Sequence, residues 1–313
     1  MGVTTVLDLG RYLRPLAIAS LILNIGIVLT GGAVRLTSSG LGCPTWPRCT
    51  DQSWTPHGAL DMHGAIEFGN RMFTFVLAAV AVATWVAAMQ RRPVKPGVRP
   101  IATVMALGIP GQAGIGGLTV LTDLNPWIVS LHLMLSMGLI GLAALLLRRL
   151  SEGDGAPRPV GAAAARWLVQ AIFGLTVVVL YAGTVVTGSG PHAGDVDAPR
   201  NGLDPRVVSQ VHGDLVVVLV LLTIALLVLL RRMETPPPQI VQAAWMVLAV
   251  ELGQGAVGIT QYYLDLPRPL VELHLLGAAL LMASVTWLLL STRTRPYAPP
   301  GAESVEATRS VTR

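Results

Sequence analysis

Charged residues are scarce in this sequence, and their scarcity excludes a soluble globular domain. Only 12% of the 313 residues are Asp, Glu, Lys or Arg, about half of the fraction in an average soluble domain. Hydrophobic residues make up 52% of the chain, and its mean hydropathy is +0.62. A chain this apolar cannot hide its surface from water, so we expect the lipid bilayer to be its solvent.

Aromatic residues and cysteines are also few. Aromatic residues account for 5% of the chain, so helix packing has to rely on Gly, Ala, Val and Leu, the smallest of which let membrane helices approach closely. The two cysteines are Cys43 and Cys49, so thiol chemistry is confined to one loop. The formal net charge of +5 does not indicate nucleic-acid binding, because the basic residues cluster at the ends of apolar runs.

Eight apolar runs are present, each long enough to cross a bilayer, which takes about 20 helical residues. Strands are excluded because an open strand leaves backbone groups unpaired in lipid, and these runs are too long for barrel strands. The sequence therefore predicts an all-α membrane protein with eight transmembrane helices. The expected spans are residues 15–35, 64–89, 101–121, 128–147, 167–187, 207–230, 240–262 and 270–291.

The basic residues predict the orientation of these spans. With eight spans, every basic segment falls on one side of the membrane, which the positive-inside rule makes the cytoplasm. Both termini are then cytoplasmic, and loops 36–63 and 188–206 lie outside. The expected location is the cell inner membrane or plasma membrane. The basic residues are Arg11, Arg14, Arg91, Arg92, Lys95, Arg99, Arg148, Arg149, Arg158, Arg166, Arg231, Arg232, Arg293 and Arg295.

The two halves of the chain resemble each other, with four spans between equivalent positions. We therefore expect two pseudo-repeated four-helix bundles, residues 1–150 and 160–292, followed by a disordered cytoplasmic tail, 293–313. Two pairs of segments match at one constant offset, QAGIGGL at 112–118 with QGAVGIT at 254–260, and SLHL at 130–133 with ELHL at 272–275. A third pair, at a slightly different offset, is TSSG at 37–40 with TGSG at 187–190.

Three histidines, His132, His212 and His274, lie within or at the ends of predicted spans, where ionisable groups are costly and usually functional. His212 and His274 begin spans six and eight, so their imidazoles can meet at one depth, as in a heme site with two axial histidines. The alternatives are a hydrogen-bonded packing role, or copper or zinc, for which further His, Cys or carboxylate ligands are missing. His57 and His192 lie in loops and are interpreted as solvated.

The first half differs chemically, because Asn70 stands at the position equivalent to His212, at the same offset that relates the repeated segments. Asparagine is a poor iron ligand, and His63 lies two helical turns earlier, about 10 Å along the axis. We expect a permanent six-coordinate heme in the second half and an open, substrate-accepting site around His132 in the first.

Glu67 is the acidic residue that points most clearly to chemistry. It lies in the first turns of the second span. There it can serve as a proton acceptor, a polar anchor or a stabiliser of a developing cation. The alternative is that the carboxylate only interacts favourably with the helix dipole. Arg71 is spaced to pair either with a heme propionate or with Glu67, four residues earlier. Glu251 and Asp214 also lie near apolar runs and are assigned no role.

Cys43 and Cys49 lie in the first outer loop. An oxidising exterior favours a disulfide that closes this short loop. A reactive dithiol is the alternative, because a small exposed loop can be reducible. The CxxC spacing of redox enzymes is absent, which favours the plain disulfide.

Several segments resemble the heme A synthase family. TGGAVRLTSSGLGCPTWPRC at 30–49 is similar to the family's first-helix and loop signature, and IEFGNR at 66–71 resembles its Glu-x-x-His-Arg element on the second helix. His132, His212 and His274 fall where the family has its histidines on helices 4, 6 and 8. The resemblance covers essentially all eight helices. The first signature is specific, whereas the single histidines are not.

The resemblance implies an activity and a cofactor. The ring methyl of heme O would be oxidised by successive hydroxylation to a formyl group, giving heme A for terminal oxidases. The second half would carry heme b, with its iron bound by His212 and His274. The first half would receive the substrate heme O near Glu67, with its iron on His132.

The resemblance also implies roles for the loop and its neighbours. Glu67, Cys43 and Cys49 are the catalytic candidates, and Arg71 is a further cofactor-binding candidate. Asn70 departs from the family, which usually has histidine there, so His132 would hold iron from one side. The second outer loop lacks the cysteine pair of some members. Heme O synthase, an electron donor of unknown identity and membrane lipid are the implied partners, with no nucleic acid.

Two other functions compete with an enzyme. A membrane b-type cytochrome that only carries electrons would need ligand pairs in both leaflets, whereas all candidate histidines lie toward the outer side. A transporter built from repeats breaks its helices at the midplane. The glycines of spans three and seven fit such breaks, but close helix packing is the simpler interpretation.

Overall fold

The computed structural model describes residues 8–56 and 61–297. Eight helices in this part of the chain are long and apolar enough to cross a membrane, as the apolar runs predict. The chain is therefore a multi-pass membrane protein. The helices are α1 (Leu13–Leu36), α2 (Asp61–Gln90), α3 (Val98–Leu121), α4 (Pro126–Ser151), α5 (Ala163–Ser189), α6 (Pro205–Arg231), α7 (Pro238–Tyr263) and α8 (Arg268–Ser291).

The helices extend a few residues beyond most of the apolar runs, because their start signals are polar. Asn125 and Asp204 precede α4 and α6, and each side chain accepts a hydrogen bond from the backbone N–H two residues later, at 3.0 and 2.8 Å. Proline is the first residue of α4, α6 and α7. Its missing N–H costs nothing there, because the first N–H of a helix has no acceptor within the helix. Hydrophobicity thus locates the helices but not their ends.

The eight helices form two bundles of four. Within the first, each helix from α1 to α4 packs on the next, and α4 returns to α1; α5 to α8 repeat this arrangement. Helices α1 and α4 pack against α8, and α4 also packs against α5. The two bundles therefore share an interface made by the first and last helices of each.

The eight crossings put the α1–α2, α3–α4, α5–α6 and α7–α8 connections on one side of the membrane. The first of these connections contains a disulfide between Cys43 and Cys49, as the loop spacing and the expected oxidising exterior favour. We call this side the disulfide side and the other the opposite side.

The α3–α4 and α7–α8 connections have the same backbone conformation. Asp123 and Leu124 have φ angles of 52° and 59°, and the equivalent pair in the second half, Asp265 and Leu266, has φ angles of 56° and 57°. Such left-handed pairs are uncommon for residues other than glycine. The turns agree with the repeated sequence segments, while the repeat of the complete halves stays a prediction.

Arg35 connects the two bundles on the disulfide side. Its guanidinium donates to the carbonyl of Thr187 at the end of α5, at 2.8 Å, and to the carbonyl of His192 in the loop that follows. The backbone N–H of Gly40 also donates to the carbonyl of Gly194, at 2.7 Å. The first loop is therefore fixed against the second half.

A buried arginine, Arg149, connects two loops on the opposite side. Arg149 is 3% exposed and donates to the carbonyls of Pro96 and Gly153, at 2.6 and 2.7 Å. Lys95 Nζ donates to the carbonyl of Glu152, at 2.6 Å. These bonds hold the α2–α3 connection to the end of α4.

The segment after α8 is paired to the α4–α5 connection. Strands β1 (Arg158–Pro159) and β2 (Arg293–Thr294) form a two-residue antiparallel ladder. The first residues of the segment predicted to be a tail are thus held in place. Its remainder, residues 298–313, lies outside the described residues.

Candidate functional site

Two imidazole rings face each other in the second bundle. His212 is the eighth residue of α6 and His274 is the seventh residue of α8, so both are near the disulfide side. Their ring centroids are 6.4 Å apart, and the ring planes are at 76°. The bundle thus brings together the two histidines that sequence spacing puts at one depth.

The spacing of the two rings fits one metal ion between them. Two nitrogen–metal bonds of about 2 Å, with about 1 Å from each nitrogen to its ring centre, span roughly 6 Å. Within the described residues, no group of three or more His, Cys, Asp or Glu side chains can hold an ion. A pair of imidazoles therefore suits heme iron, whose porphyrin supplies the other four ligands, better than a bare ion.

Each of these rings lies against a glycine of the preceding helix. A Cβ added at Gly183 of α5 would lie 3.2 Å from Cε1 of His212, and a Cβ added at Gly258 of α7 would lie 3.3 Å from Cε1 of His274. Contacts this short leave no room for a methyl group without displacement of the ring. The two glycines therefore determine how far each imidazole stands from its neighbouring helix.

His132 in the first bundle has the same surroundings as His274. A Cβ at Gly116 would lie 3.2 Å from Cε1 of His132, and Gly116 is the residue equivalent to Gly258 in the repeated segments. Gln112 Nε2 donates to the backbone carbonyl of His132 at 3.1 Å, just as Gln254 Nε2 donates to the carbonyl of His274 at 2.9 Å. His132 and His274 therefore have matching glycine and glutamine contacts in the two halves.

Nothing equivalent to His212 and its glycine occurs on α1 and α2. Asn70 accepts a hydrogen bond on Oδ1 from the Thr30 hydroxyl, at 2.7 Å. Aligning TSSG at 37–40 with TGSG at 187–190 matches Gly183 with Ala33. The first half therefore has neither the histidine nor the glycine at the aligned positions.

Two other histidines lie within the described residues, His63 at the start of α2 and His192 in the α5–α6 connection. His63 Nδ1 is 2.9 Å from the Ser39 hydroxyl, so its ring is bound to the first loop. His57 lies outside the described residues. Partial burial, with the Arg268 and Arg35 guanidinium groups nearby, lowers the pKa of His192 below its usual range.

Glu67 and Arg71 hold the disulfide loop against α2. The side chain of Glu67 is 6% exposed, and its Oε1 is 2.5 Å from Arg71 Nη2. Its Oε2 accepts a hydrogen bond from the backbone N–H of Cys43, at 2.5 Å. Arg71 also donates to the carbonyls of Cys43, Thr45 and Arg48, at 3.1, 3.0 and 3.1 Å. Of the two predicted partners of Arg71, Glu67 is the one observed.

The disulfide loop lies beside the histidine of the first half. Cys43 and Cys49 are fully buried. Between them, the ring of Trp46 rests on α3 so closely that a Cβ added at Gly117 would clash with it. Gly116, the next residue back along α3, faces His132. The loop therefore packs on the same segment of α3 as the candidate iron ligand.

Several residues of the site were not predicted individually. Gln112 and Gln254 stand in the repeated segments, so the repeat itself was a signal for them. Thr30, Ser39 and Trp46 lie within the family-like loop signature, but their partners are distant in sequence. No pattern along the chain identifies those contacts.

A family model described as COX15-CtaA, cytochrome oxidase assembly protein, matches residues 14–65 and 59–286. These ranges include all the histidines of the site, Glu67, and both cysteines.

Individual relatives match shorter stretches. The chain is 32% identical to the heme A synthase of Geobacillus kaustophilus over 129 residues, which are 39% of this chain and 37% of the relative. It is 31% identical to the heme A synthase of Geobacillus thermodenitrificans over 144 residues, 46% of this chain and 44% of the relative. It is 29% identical to the heme A synthase of Rhodopseudomonas palustris over 196 residues, 52% of each. The chain thus spans about half the length of the curated relatives it matches, or less.

The bonds from Arg71 predict how firmly the disulfide loop is held. Arg71→Ala removes three bonds to loop carbonyls and the partner of Glu67, so we expect faster trypsin cleavage after Arg48, by about tenfold if about 1.4 kcal/mol of loop anchoring is lost. Cleavage would be followed by mass spectrometry of the purified protein in detergent, after reduction of the disulfide. The matched control is Arg92→Ala, an exposed arginine of the α2–α3 connection. Equal cleavage in all three proteins would show that Arg71 does not anchor the loop.

Proposed function

The chain belongs to the COX15-CtaA family of cytochrome oxidase assembly proteins, and from this premise we propose that it is a heme A synthase. It would oxidise the ring methyl of heme O to a formyl group by successive hydroxylation. The observation that carries this proposal is the pair of imidazoles, His212 and His274, at 6.4 Å in a bundle of this family. The COX15-CtaA model spans both halves, which supports an activity that uses both.

Heme b is the cofactor we propose for the second half, with His212 and His274 as its iron ligands. Bound there, it supplies one-electron chemistry to the oxidation in the first half. Gly183 and Gly258 hold the two imidazoles at their distance from α5 and α7, and Gln254 fixes the backbone of His274. Contacts of this kind would orient the two imidazoles toward the iron.

Heme O is the proposed substrate of the first half, bound through His132. The opposite ligand position would lie near Asn70, whose Oδ1 is occupied by Thr30 and whose amide is a poor iron ligand. The substrate iron would therefore keep one open coordination position. An open position suits oxidative chemistry, whereas two histidines would close it.

Glu67 is the proposed catalytic carboxylate of the first half. It is buried beside the disulfide loop, where it would accept a proton as the substrate methyl group is oxidised. Cys43 and Cys49 would keep the loop closed over the site, and Trp46 would exclude water beside α3. Redox exchange of this cysteine pair is the alternative role. Arg71 has four acceptors within reach and remains the candidate for a heme propionate through its Nη1 group.

A b-type cytochrome that only carries electrons is less well supported. The three intramembrane histidines of the described residues all lie near the disulfide side, so they offer no ligand pair at a second depth. The fully buried disulfide and the buried Glu67 bonded to its Cys43 backbone also have no use in such a carrier.

We infer that the protein resides in the cell inner membrane or plasma membrane, with the disulfide side outside and both termini in the cytoplasm. The basic residues at the helix ends support this orientation. Membrane lipid would surround the bundles. Heme O synthase is the proposed source of the substrate, and an electron donor would reduce the cofactor.

The central experiment expresses the chain in cells that make heme O but no heme A. We expect heme A or its hydroxylated precursor on chromatography of extracted heme. Glu67→Gln should lower this product by about a hundredfold or more, since a general base contributes at least that much, while heme b stays bound. Asp51→Asn, an exposed acid of the same loop, is the matched control. If Glu67→Gln makes the normal amount of product, Glu67 only anchors the loop. If folded, heme-loaded wild type supplied with a reductant leaves heme O unchanged, the synthase assignment is wrong.

The imidazole–glycine contacts predict a graded effect on bound heme. His274→Ala should abolish the low-spin spectrum of the purified protein, because one axial ligand is lost. Gly258→Ala should retain heme but alter its low-spin electron paramagnetic resonance signal, because the added Cβ reaches the ring at 3.3 Å. Gly253→Ala, on the same helix with no atom within 4 Å of its added Cβ, is the control. Full low-spin heme in His274→Ala would remove the second-half site.

Because Asn70 stands where the second half has a histidine, a histidine introduced there should provide a second iron ligand in the first half. Asn70→His should add a second low-spin heme signal and lower heme A production, because the open position of the substrate iron would be closed. Thr30→Val, which removes only the partner of the Asn70 amide, should not add that signal. If Asn70→His left both the spectrum and the turnover unchanged, Asn70 would not face the substrate iron.

A further inference from the structure

Glu251 is a buried acid in the middle of α7 that has no part in the proposed oxidation. It is 2% exposed, and its Oε1 lies 2.9 Å from the hydroxyl of Thr223 on α6. That hydroxyl is also 3.2 Å from the carbonyl of Leu219, one turn earlier. Glu251 Oε2 is buried and has no hydrogen-bond partner among the described residues.

Both contacts of the Thr223 hydroxyl can be hydrogen bonds at the same time when Glu251 carries a proton. A hydroxyl has one hydrogen, so Thr223 cannot donate both to a carboxylate and to the Leu219 carbonyl. A protonated Glu251 donates to Thr223, which then donates to Leu219. An ionised Glu251 would leave a charged oxygen without a partner in apolar surroundings, which is costly unless positive charge lies nearby.

Glu251 lies on the same face of α7 as the residues that contact His274, closer to the opposite side of the membrane. Gln254, three residues later, bonds to the backbone of His274, and Gly258, seven residues later, contacts its ring. Seven residues of helix correspond to about 10 Å. Charges at that distance interact appreciably in a protein interior, where screening by water is weak.

The acid occurs in one half only. The equivalent residue of the first half, at the offset of the repeated segments, is Ile109, which is 4% exposed and packs with Leu77, Ala81 and Leu139. The half with two facing imidazoles therefore has a buried acid at a position where the half with one imidazole has an apolar core. Helix packing at this depth does not by itself require a polar group.

We propose that Glu251 is a proton-binding site coupled to the redox state of the heme in the second half. When that site accepts one electron from a one-electron donor, its iron passes from ferric to ferrous, and the Glu251 carboxylate takes up one proton from water, forming one O–H bond. Reoxidation releases the electron and the proton. Net charge at the site is thereby kept constant. This inference rests on the proposed heme b site.

The helices packed against α7 carry seven other ionisable groups, and all of them lie toward one end of their helix, whereas Glu251 lies in the middle of α7. The two imidazoles lie toward the disulfide side, and Arg231 lies eight residues beyond Thr223, over the ring of Trp245. The groups are Arg206, His212, Asp214 and Arg231 on α6, and Arg268, Glu272 and His274 on α8.

The test is the midpoint potential of the bound low-spin heme as a function of pH, measured on the full chain from cells that make heme B but no heme O. In wild type the potential should fall as pH rises, since reduction takes up a proton. A tenfold change in proton activity corresponds to at most about 59 mV for a one-electron couple. Glu251→Gln should show a flat potential over the same pH range. Reduced-minus-oxidised infrared spectra of wild type should contain a protonated-carboxyl band that this variant lacks.

Further variants keep the test independent of folding. Glu251→Ile introduces the residue that the first half has at this position, and it should also give a flat potential. Thr223→Val should move the pH range of the response, whereas Thr176→Val, a fully buried threonine of α5 bonded only within its helix, should not. A flat wild-type potential, or the wild-type slope retained in Glu251→Gln, would overturn the proposal. Absence of low-spin heme from wild type would instead refute the heme b site itself.

Discussion

Close approach of helices at small residues is the constraint on which both sites depend. With 5% aromatic residues, this chain cannot fill wide gaps between helices, so its helices meet at glycine and alanine. Where a histidine ring faces such a glycine, as at Gly116, Gly183 and Gly258, helix packing also sets the position of the ring. Packing and ligand placement are thus one interaction, and the 6.4 Å between His212 and His274 follows from it.

The two bundles use this common plan for different ends. The second has paired imidazoles and a buried acid, Glu251, beneath them. The first has one imidazole, His132, with Asn70 bound to Thr30 where a second would stand. In the proposed reaction, two imidazoles would retain a cofactor in the second bundle, and a single imidazole would leave the substrate iron an open coordination position in the first.

The disulfide loop is held to the first bundle by the residues proposed to act there. Glu67 is both the proposed catalytic carboxylate and the acceptor for the Cys43 backbone, and Arg71 connects it to three loop carbonyls. Any change of charge on Glu67 therefore alters what holds the loop. In the proposed reaction, proton uptake by Glu67 would therefore weaken the ion pair that holds the loop.

The eight helices, the paired cysteines and the three intramembrane histidines follow from the sequence alone, because hydrophobicity, spacing and the cost of burying polar groups in lipid are local properties. The helix ends follow less well, since they depend on polar caps such as Asn125. Contacts between distant segments emerge only in the folded chain: Arg71 on the carbonyls of the disulfide loop, His63 on Ser39, and Thr223 on Glu251. Those partners are set by which helix faces meet, and no pattern within a single helix records that.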